Sequence, residues 1–135
     1  MLAKPIINVQ ISVEALEPVD PFRIPLEELG FIFRKNGIEK TKRYFRESPG
    51  NRRTHIHVRK IGSWHQQFPL LFRDYLRKND LDARLYEKEK TKLAELHRDH
   101  RAVYVEGKMK IFWEIIYRAD RWALFSGWEP GASDV

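Results

Sequence analysis

Cysteine is absent from this chain of 135 residues. Composition therefore excludes a disulfide framework, a thiolate zinc site and a cysteine nucleophile. Long apolar runs are also absent: the longest, IFWEIIY at 111–117, is interrupted by Glu114 and falls short of the ~18 residues that a membrane-spanning helix needs. The N-terminal stretch MLAKPIINVQISV lacks a small-residue cleavage pattern, so no signal peptide is predicted. We expect a cytoplasmic protein with no membrane partner.

Charge is abundant but only mildly one-sided. Lys and Arg number 25 against 19 Asp and Glu, which gives a net charge of +6, and the two signs are mixed along the chain. This balance permits a phosphate-bearing ligand without demanding nucleic acid. The length and the 42% of apolar residues fit one folded domain. We expect that domain at 1–127 and a frayed tail at 128–135.

Strands are predicted in the first half of the chain. Segments 6–13 and 53–59 show the strict alternation of half-buried strands, with apolar or β-branched residues on one face. The polar positions on the other face are Asn8, Gln10, Ser12, Arg53, His55, His57 and Arg59. Segments 31–34 and 41–46 also predict strands, and Asn36-Gly37 between them is typical of a tight hairpin turn.

Helices are predicted mainly in the second half. A short helix around 26–29 ends at Gly30, and Ser63 followed by Gln66 forms a capping-box pattern that begins a longer one. Two more helices are predicted from Asn79 or Asp80 to about 98 and from about 103 to 125. Strands followed by helices predict an α+β domain in which C-terminal helices pack on one side of a mixed sheet of about four strands.

The polar faces of the two alternating strands are the first candidate site. If the strands are neighbours, Asn8 and Gln10 share a surface with His55 and His57, and this surface is a reasonable floor for a ligand. Arg53 and Arg59 would add positive charge. The alternative is an ordinary solvated face of an antiparallel sheet. Two histidines spaced by two on a strand can also present nitrogens to one metal ion, although no third ligand is evident on these strands.

Gly62 and Ser63 are the second candidate site. They precede a predicted helix and follow Arg59 and Lys60, so free amides and the positive end of the helix would favour a phosphate there. Ordinary helix capping uses the same residues, and both interpretations stay open. No serine or cysteine triad, Walker loop or dinucleotide-binding glycine pattern is present in the sequence.

Several segments in order resemble the GrpB family: LAKPIIN (2–8), THIHV (54–58), GSWHQQFPLLFRDYLRKND (62–80), YEKEKTKLAEL (86–96) and YVEGKMKIF (104–112). The resemblance runs from about Leu2 to Ala119, and its most specific parts are the His-hydrophobic-His-Val strand and the L-x-F-R-D-Y-L-R helix. It implies a nucleotidyltransferase-like fold, in which a Gly-Ser turn holds phosphates and strand carboxylates hold a divalent metal. Some members of the family are fused to dephospho-CoA kinase.

For a ligand-binding member of such a family, we expect the following roles. Catalytic positions would be Asn8, Gln10 and His57. Binding positions would be Lys4, Arg53, His55, Arg59, Gly62 and Ser63. The implied cofactor is Mg²⁺ or Mn²⁺, and no residue is assigned to hold it. Asn8 stands where the family usually has Asp, and the family's Gly-Ser-Thr-x-x-Pro-Gly turn would precede Leu2, so either the start of this sequence is too far downstream or the chain is a degenerate member. A neutral amide contributes an oxygen to Mg²⁺ but no negative charge, so Asn8 argues against metal-dependent nucleotidyl transfer.

Three functional hypotheses follow. The first is a GrpB-like protein that binds a nucleotide or another phosphorylated small molecule. The alternative is a non-catalytic basic module that binds nucleic acid or a protein partner through its basic helices. The third is a stable fold that retains no activity.

Overall fold

The computed structural model describes residues 5–132. The strands are β1 (Ile7–Val13), β2 (Ile32–Phe33), β3 (Lys42–Arg46) and β4 (Thr54–Lys60). The helices are α1 (Asp20–Glu28), α2 (Trp64–Lys78), α3 (Asp80–Leu96) and α4 (Arg101–Ser126). The chain divides into two compact units, Met1–Gln67 and Phe68–Val135, which we call the sheet unit and the helical unit. Within residues 5–132, no helix is both long enough and apolar enough to cross a bilayer.

The sheet has the strand order β1-β4-β3-β2. β1 runs parallel to β4, whereas β3 is antiparallel to both β4 and β2. The predicted α+β class and the four-stranded mixed sheet are therefore confirmed. The parallel pair makes the two strongly alternating strands neighbours, with Asn8 opposite His55 and Gln10 opposite His57, so the condition set for the first candidate site is met.

One face of the sheet carries the core of the sheet unit. Phe45 and Val58 are completely buried there, with Ile56 beside them. α1 contributes Leu26 and Phe22 to the same cluster. Phe45 stacks on Phe33 with ring centroids 4.9 Å apart, which adds aromatic attraction to the burial of apolar area.

α1 is longer than the predicted helix around 26–29. Pro21 lies in its first turn, where the missing N–H would have no partner in any case, and Pro25 removes only one internal hydrogen bond. Gly30 ends the helix as predicted, with φ at +94°. Its N–H donates to the carbonyl of Glu27 and that of Phe31 to the carbonyl of Leu26, the paired bonds of a Schellman motif.

The chain turns at Lys35-Asn36 between the two predicted strands, but Asn36-Gly37 does not form a tight two-residue hairpin turn. β2 and β3 pair with Phe33 opposite Phe45, so that eight residues, 34–41, form the connecting loop. The Asn-Gly dipeptide lies inside this loop and does not set the register, because the apolar pairing of the two phenylalanines on the core face does.

The helical unit has a separate core. α2 contributes Leu71 and Tyr75, and α4 contributes Ile115 and Ala119, both fully buried. The predicted helices at about 79–98 and 103–125 correspond to α3 and α4, which begin and end within two residues of those limits.

Trp128 is the first residue of the predicted frayed tail, but it is held in place. Its Nε1–H donates to Oδ2 of Asp74 at 3.0 Å, and its ring packs against the core of the helical unit. The last three residues of the tail lie outside the described part of the chain.

Candidate functional site

The face of the sheet opposite the core is polar, and three strands supply it. Because directly paired residues point to the same side of a sheet, the register defines three rows across β1, β4 and β3. We call this surface the polar face. Its rows are Asn8–His55–Arg46, Gln10–His57–Tyr44 and Ser12–Arg59–Lys42.

His57 lies at the centre of the polar face. Lys42 Nζ is 3.2 Å from His57 Nδ1, and the Tyr44 ring lies beside the imidazole with centroids 5.2 Å apart. An ammonium group only donates, so Nδ1 of His57 accepts and its ring proton is on Nε2. The middle of the polar face is thus a neutral imidazole, with an aromatic ring and a cation in contact with it.

Burial and neighbouring charge keep both histidines neutral. Burial, followed by the charges of Lys42 and Arg59, lowers the pKa of His57 from 6.5 to about 4. Burial, followed by the charges of Arg46 and Arg53, also lowers the pKa of His55. At neutral pH both rings therefore provide hydrogen-bonding groups without charge.

Two carboxylates neutralise only part of the positive charge around the polar face. Glu39 is 3.1 Å from Lys42 Nζ and 3.3 Å from an Arg59 nitrogen, whereas Glu47 pairs with Arg46 at 3.1 Å. Burial raises the pKa of Glu39, but its bonds to Lys42 and Arg59 outweigh that effect and the pKa is lowered. With Arg53 included, four cations stand against two carboxylates, so the site has an excess of positive charge.

Two buried nitrogen atoms of the polar face have no hydrogen-bond partner within the described residues: His55 Nε2 and Arg59 Nε. Arg59 is only 9% exposed, and its terminal nitrogen makes two long bonds, at 3.3 Å to Glu39 and 3.4 Å to Thr41 Oγ. A buried guanidinium normally has close, complete partners, because an unpaired buried donor costs about 1–3 kcal/mol. Arg59 therefore keeps an unpaired donor within the polar face, and its terminal nitrogen makes only long bonds.

Gln10 and Ser12 hold the beginning of α2. Gln10 Nε2 donates to the carbonyl of Gln66 at 2.9 Å, and Gln66 Nε2 donates to Ser12 Oγ at 3.1 Å. The amide nitrogen of Gln10 is therefore occupied within the protein. A catalytic role for Gln10 stays a prediction, and its visible role is to position a helix.

Gly62 and Ser63 act as the cap of α2. Ser63 Oγ accepts from the N–H of Gln66 at 3.3 Å, and the N–H of Gly62 donates to Gln66 Oε1 at 3.2 Å. The N–H of Ser63 donates to the carbonyl of Lys60. The predicted capping pattern is confirmed. Both amides have partners inside the chain, so phosphate binding at Gly62 and Ser63 stays a prediction.

A divalent metal does not fit this group of residues. The three strands bring no carboxylate to the polar face, since Asn8 supplies only an amide and both histidines lie beside cations. Within residues 5–132, no three His, Asp or Glu side chains form a group that would hold a metal ion. Hard ions such as Mg²⁺ need oxygen ligands with negative charge, whereas the excess charge here is positive.

The structure brings most of the sequence-derived candidates together. Asn8, His55, His57 and Arg59 all lie on the polar face. Arg53 directly precedes β4, and its charge reaches His55. Lys4 lies outside the described residues.

Sequence reasoning missed Lys42, Tyr44, Arg46 and Glu39. The first three occupy alternate positions of β3, which is the spacing that places residues on one face of a strand. Arg43 lies between Lys42 and Tyr44 and hides the alternation of polar and apolar residues. Glu39 is in a loop, where no periodicity would have found it.

Comparisons with known proteins agree with the fold. Residues 1–118 match the sequence profile of a family described as GrpB protein. The chain is 37% identical to UPF0157 protein YqkA of Bacillus subtilis, over 90% of this chain and 36% of that protein. It is 29% identical to the dephospho-CoA kinase of Mycobacterium leprae, over 93% of this chain and 36% of that protein. The chain thus spans about a third of the length of both curated relatives.

A solved structure is also similar. The crystal structure of the conserved protein GrpB from Enterococcus faecalis aligns with a TM-score of 0.64 and 31% identity, and the alignment covers 86% of this chain and 72% of that one. This likeness and the mixed sheet confirm the predicted nucleotidyltransferase-like α+β fold class.

Proposed function

The chain belongs to the GrpB family, and we propose that its polar face binds a nucleotide or another phosphorylated small molecule. The observation that carries this proposal is the charge of the polar face: Lys42, Arg46, Arg53 and Arg59 surround two neutral histidines, and only two carboxylates oppose them. Phosphate groups bind where charged donors converge and water is partly excluded.

Individual groups of the polar face have separable roles in this proposal. Arg59 and Lys42 contact the phosphate, because Arg59 is buried with incomplete partners and Lys42 lies beside it. His57 donates from Nε2, since its Nδ1 accepts from Lys42. Tyr44 supports both groups, because its ring packs against His57 and lies 4.9 Å from Lys42 Nζ.

Binding is proposed to be independent of a divalent metal. Cationic side chains take the place that Mg²⁺ has in metal-dependent nucleotidyl transfer, in which the ion neutralises the phosphate charge. We therefore propose a binding protein that does not carry out that reaction.

Thermal unfolding of the chain tests this proposal. The probes are ATP, CoA and dephospho-CoA, the last suggested by the relatives with the name dephospho-CoA kinase. Each probe is tested alone, with Mg²⁺ and with Mn²⁺. A probe at ~100 times its Kd stabilises the fold by about 2.7 kcal/mol, so an upward Tm shift of several degrees without metal is the expected result. A shift that appears only with metal overturns the metal-independent part, and no shift with any probe overturns the proposal.

Lys42→Gln and Lys60→Gln form the matched pair of variants. Lys42 lies on the polar face, whereas Lys60 is exposed and lies opposite Val13, on the other side of the sheet. Lys42→Gln is expected to weaken binding of the active probe by about tenfold, since a charge-assisted bond contributes ~1.5–3 kcal/mol. Lys60→Gln is expected to bind as the unaltered chain does. Equal effects of the two variants would contradict the placement of the ligand.

The alternative of a nucleic-acid-binding module is an outcome of the same experiment. Single-stranded DNA that binds with an affinity falling steeply with salt, together with silence from the small molecules, would favour the basic module and overturn the proposal.

A further inference from the structure

A pocket lies beside the polar face, between loop 34–41, β3 and the residues before α1. Its volume is about 420 Å³, within the range of small-molecule sites. We call it the loop pocket. All of its lining residues belong to the sheet unit.

The loop pocket has an excess of unpaired positive charge. Two acidic residues line it, and both are neutralised: Glu17 by Arg43 at 2.8 Å and Glu39 by Lys42 at 3.1 Å. The remaining lining cations are Arg34, Lys35 and Lys40. Within residues 5–132 no ion pair involves these three, so an anion that enters the pocket meets three cations that are not paired with either carboxylate.

The pocket also has an apolar part. Val19, Phe33 and Tyr44 contribute to its lining. Phe33 is held by stacking on the fully buried Phe45, so this part of the wall is anchored to the core. Cations around an apolar wall suit an organic anion better than an inorganic ion, because both kinds of surface are then used.

Lys42 and Tyr44 belong to the loop pocket and to the polar face at once. Lys42 contacts His57 on the polar face, and the Tyr44 ring lies 5.2 Å from the His57 ring. The two cationic regions therefore adjoin, because they share Lys42 and Tyr44. A small molecule with two anionic groups therefore has one cationic region for each group.

We propose that the loop pocket is a second anion subsite, and that the ligand is a small molecule with two separated phosphate groups, one on Lys42 and Arg59 and the other on Arg34, Lys35 and Lys40. This inference rests on the proposed function of the polar face. It names the class of ligand: an organic bisphosphate, not a monophosphate or an uninterrupted polyphosphate chain.

Calorimetric titration of the full chain with matched ligands tests the inference. The first set is 5′-AMP, ADP and adenosine 3′,5′-bisphosphate. ADP controls for the number of phosphate groups, because it also has two but they are contiguous. The second set, fructose 6-phosphate and fructose 1,6-bisphosphate, repeats the comparison without a base. In at least one set the separated bisphosphate is expected to bind tenfold or more tightly than its partners.

A double variant assigns this preference to the pocket. Lys35→Gln with Lys40→Gln removes two cations from exposed positions of the loop and is expected to lower bisphosphate affinity about tenfold, while monophosphate affinity is unchanged. The control, Lys60→Gln with Lys110→Gln, removes the same charge from exposed positions outside the pocket and is expected to keep the preference.

The possible failures are distinguishable. Monophosphates and bisphosphates that bind equally overturn this inference and leave the proposed function standing. Equal loss in both double variants also overturns it, because net charge would then explain the preference. Loss of monophosphate binding in the loop variant overturns the two-subsite arrangement. No binding in either set counts against the proposed function itself.

Discussion

Burial and positive charge act in the same direction on His57, and this gives the residue a measurable signature. Its pKa is 6.5 in an ordinary environment and about 4 in the fold. Between these pH values His57 is protonated in the unfolded chain and neutral in the folded chain. The free energy of unfolding therefore decreases as the pH falls from 6.5 to 4. We expect His57 to account for about 1–2 kcal/mol of this decrease, because partial exposure screens the charges.

Urea unfolding at several pH values between 4 and 7.5 measures this effect. His57→Gln removes the titrating group and is expected to flatten the pH dependence. Some of the slope remains, because the pKa of His55 is lowered in the same way. His100→Gln, at an exposed position before α4, is the control and is expected to keep the full slope. A His57→Gln slope equal to that of the unaltered chain would mean that His57 is not shielded as the fold indicates.

At the scale of elements, variants of Ser63 at the beginning of α2 distinguish a helix cap from a phosphate-binding residue. Ser63 Oγ accepts the N–H of Gln66, so Ser63→Ala is expected to destabilise the protein by about 1 kcal/mol. Asp is an equally good cap, so Ser63→Asp is expected to retain the free energy of unfolding, as measured by chemical unfolding. Its negative charge would repel a phosphate bound at Ser63. Because the proposed phosphate lies on Lys42 and Arg59 instead, titration with the active probe is expected to show unchanged binding. Retained stability with lost binding would instead place a phosphate at Ser63.

The strands show how far sequence reasoning reaches. Alternation along 6–13 and 53–59 predicted which residues share a face, because the side-chain period of a strand is a local property. The same patterns did not predict that β1 pairs with β4. Ile7 and its partner Thr54 are 47 positions apart, and no local sequence pattern indicates a pairing over that distance. The contribution of β3 was missed for a different reason. Arg43 faces the core side but extends to Glu17, so a charged residue occupies a position where the alternation calls for an apolar one.

Loop 34–41 marks another limit of prediction. The Asn36-Gly37 signal is chemically sound for a turn, but the long-range pairing of Phe33 with Phe45 overrides it. The loop then becomes part of the candidate ligand surface, and no pattern in its sequence indicates this. Its lysines become informative only after the pocket is seen.

At the scale of the whole molecule, the helical unit has a hydrophobic core of its own, which substitutions in α4 test. Ile115 is completely buried in the helical unit, and Ile115→Ala is expected to cost about 2–5 kcal/mol. Hydrogen exchange should become faster at amides of α2 and α4, whose side chains surround the cavity. Leu124→Ala on the same helix is the control, since Leu124 is 75% exposed and its loss is expected to change stability by no more than ~0.5 kcal/mol. Similar effects of the two variants would contradict this core.

The parallel pairing of β1 with β4 has a consequence for synthesis on the ribosome. β1 leaves the exit tunnel first, but its partner strand is complete only after Lys60 has been added. At roughly 5–20 residues per second, the apolar side of β1 stays without its partner for several seconds. The polar face is completed only after that interval, because Asn8 acquires its neighbour His55 when the strands join. A ligand of the polar face therefore binds only after β1 and β4 have paired, and the nascent β1 strand alone does not form the site.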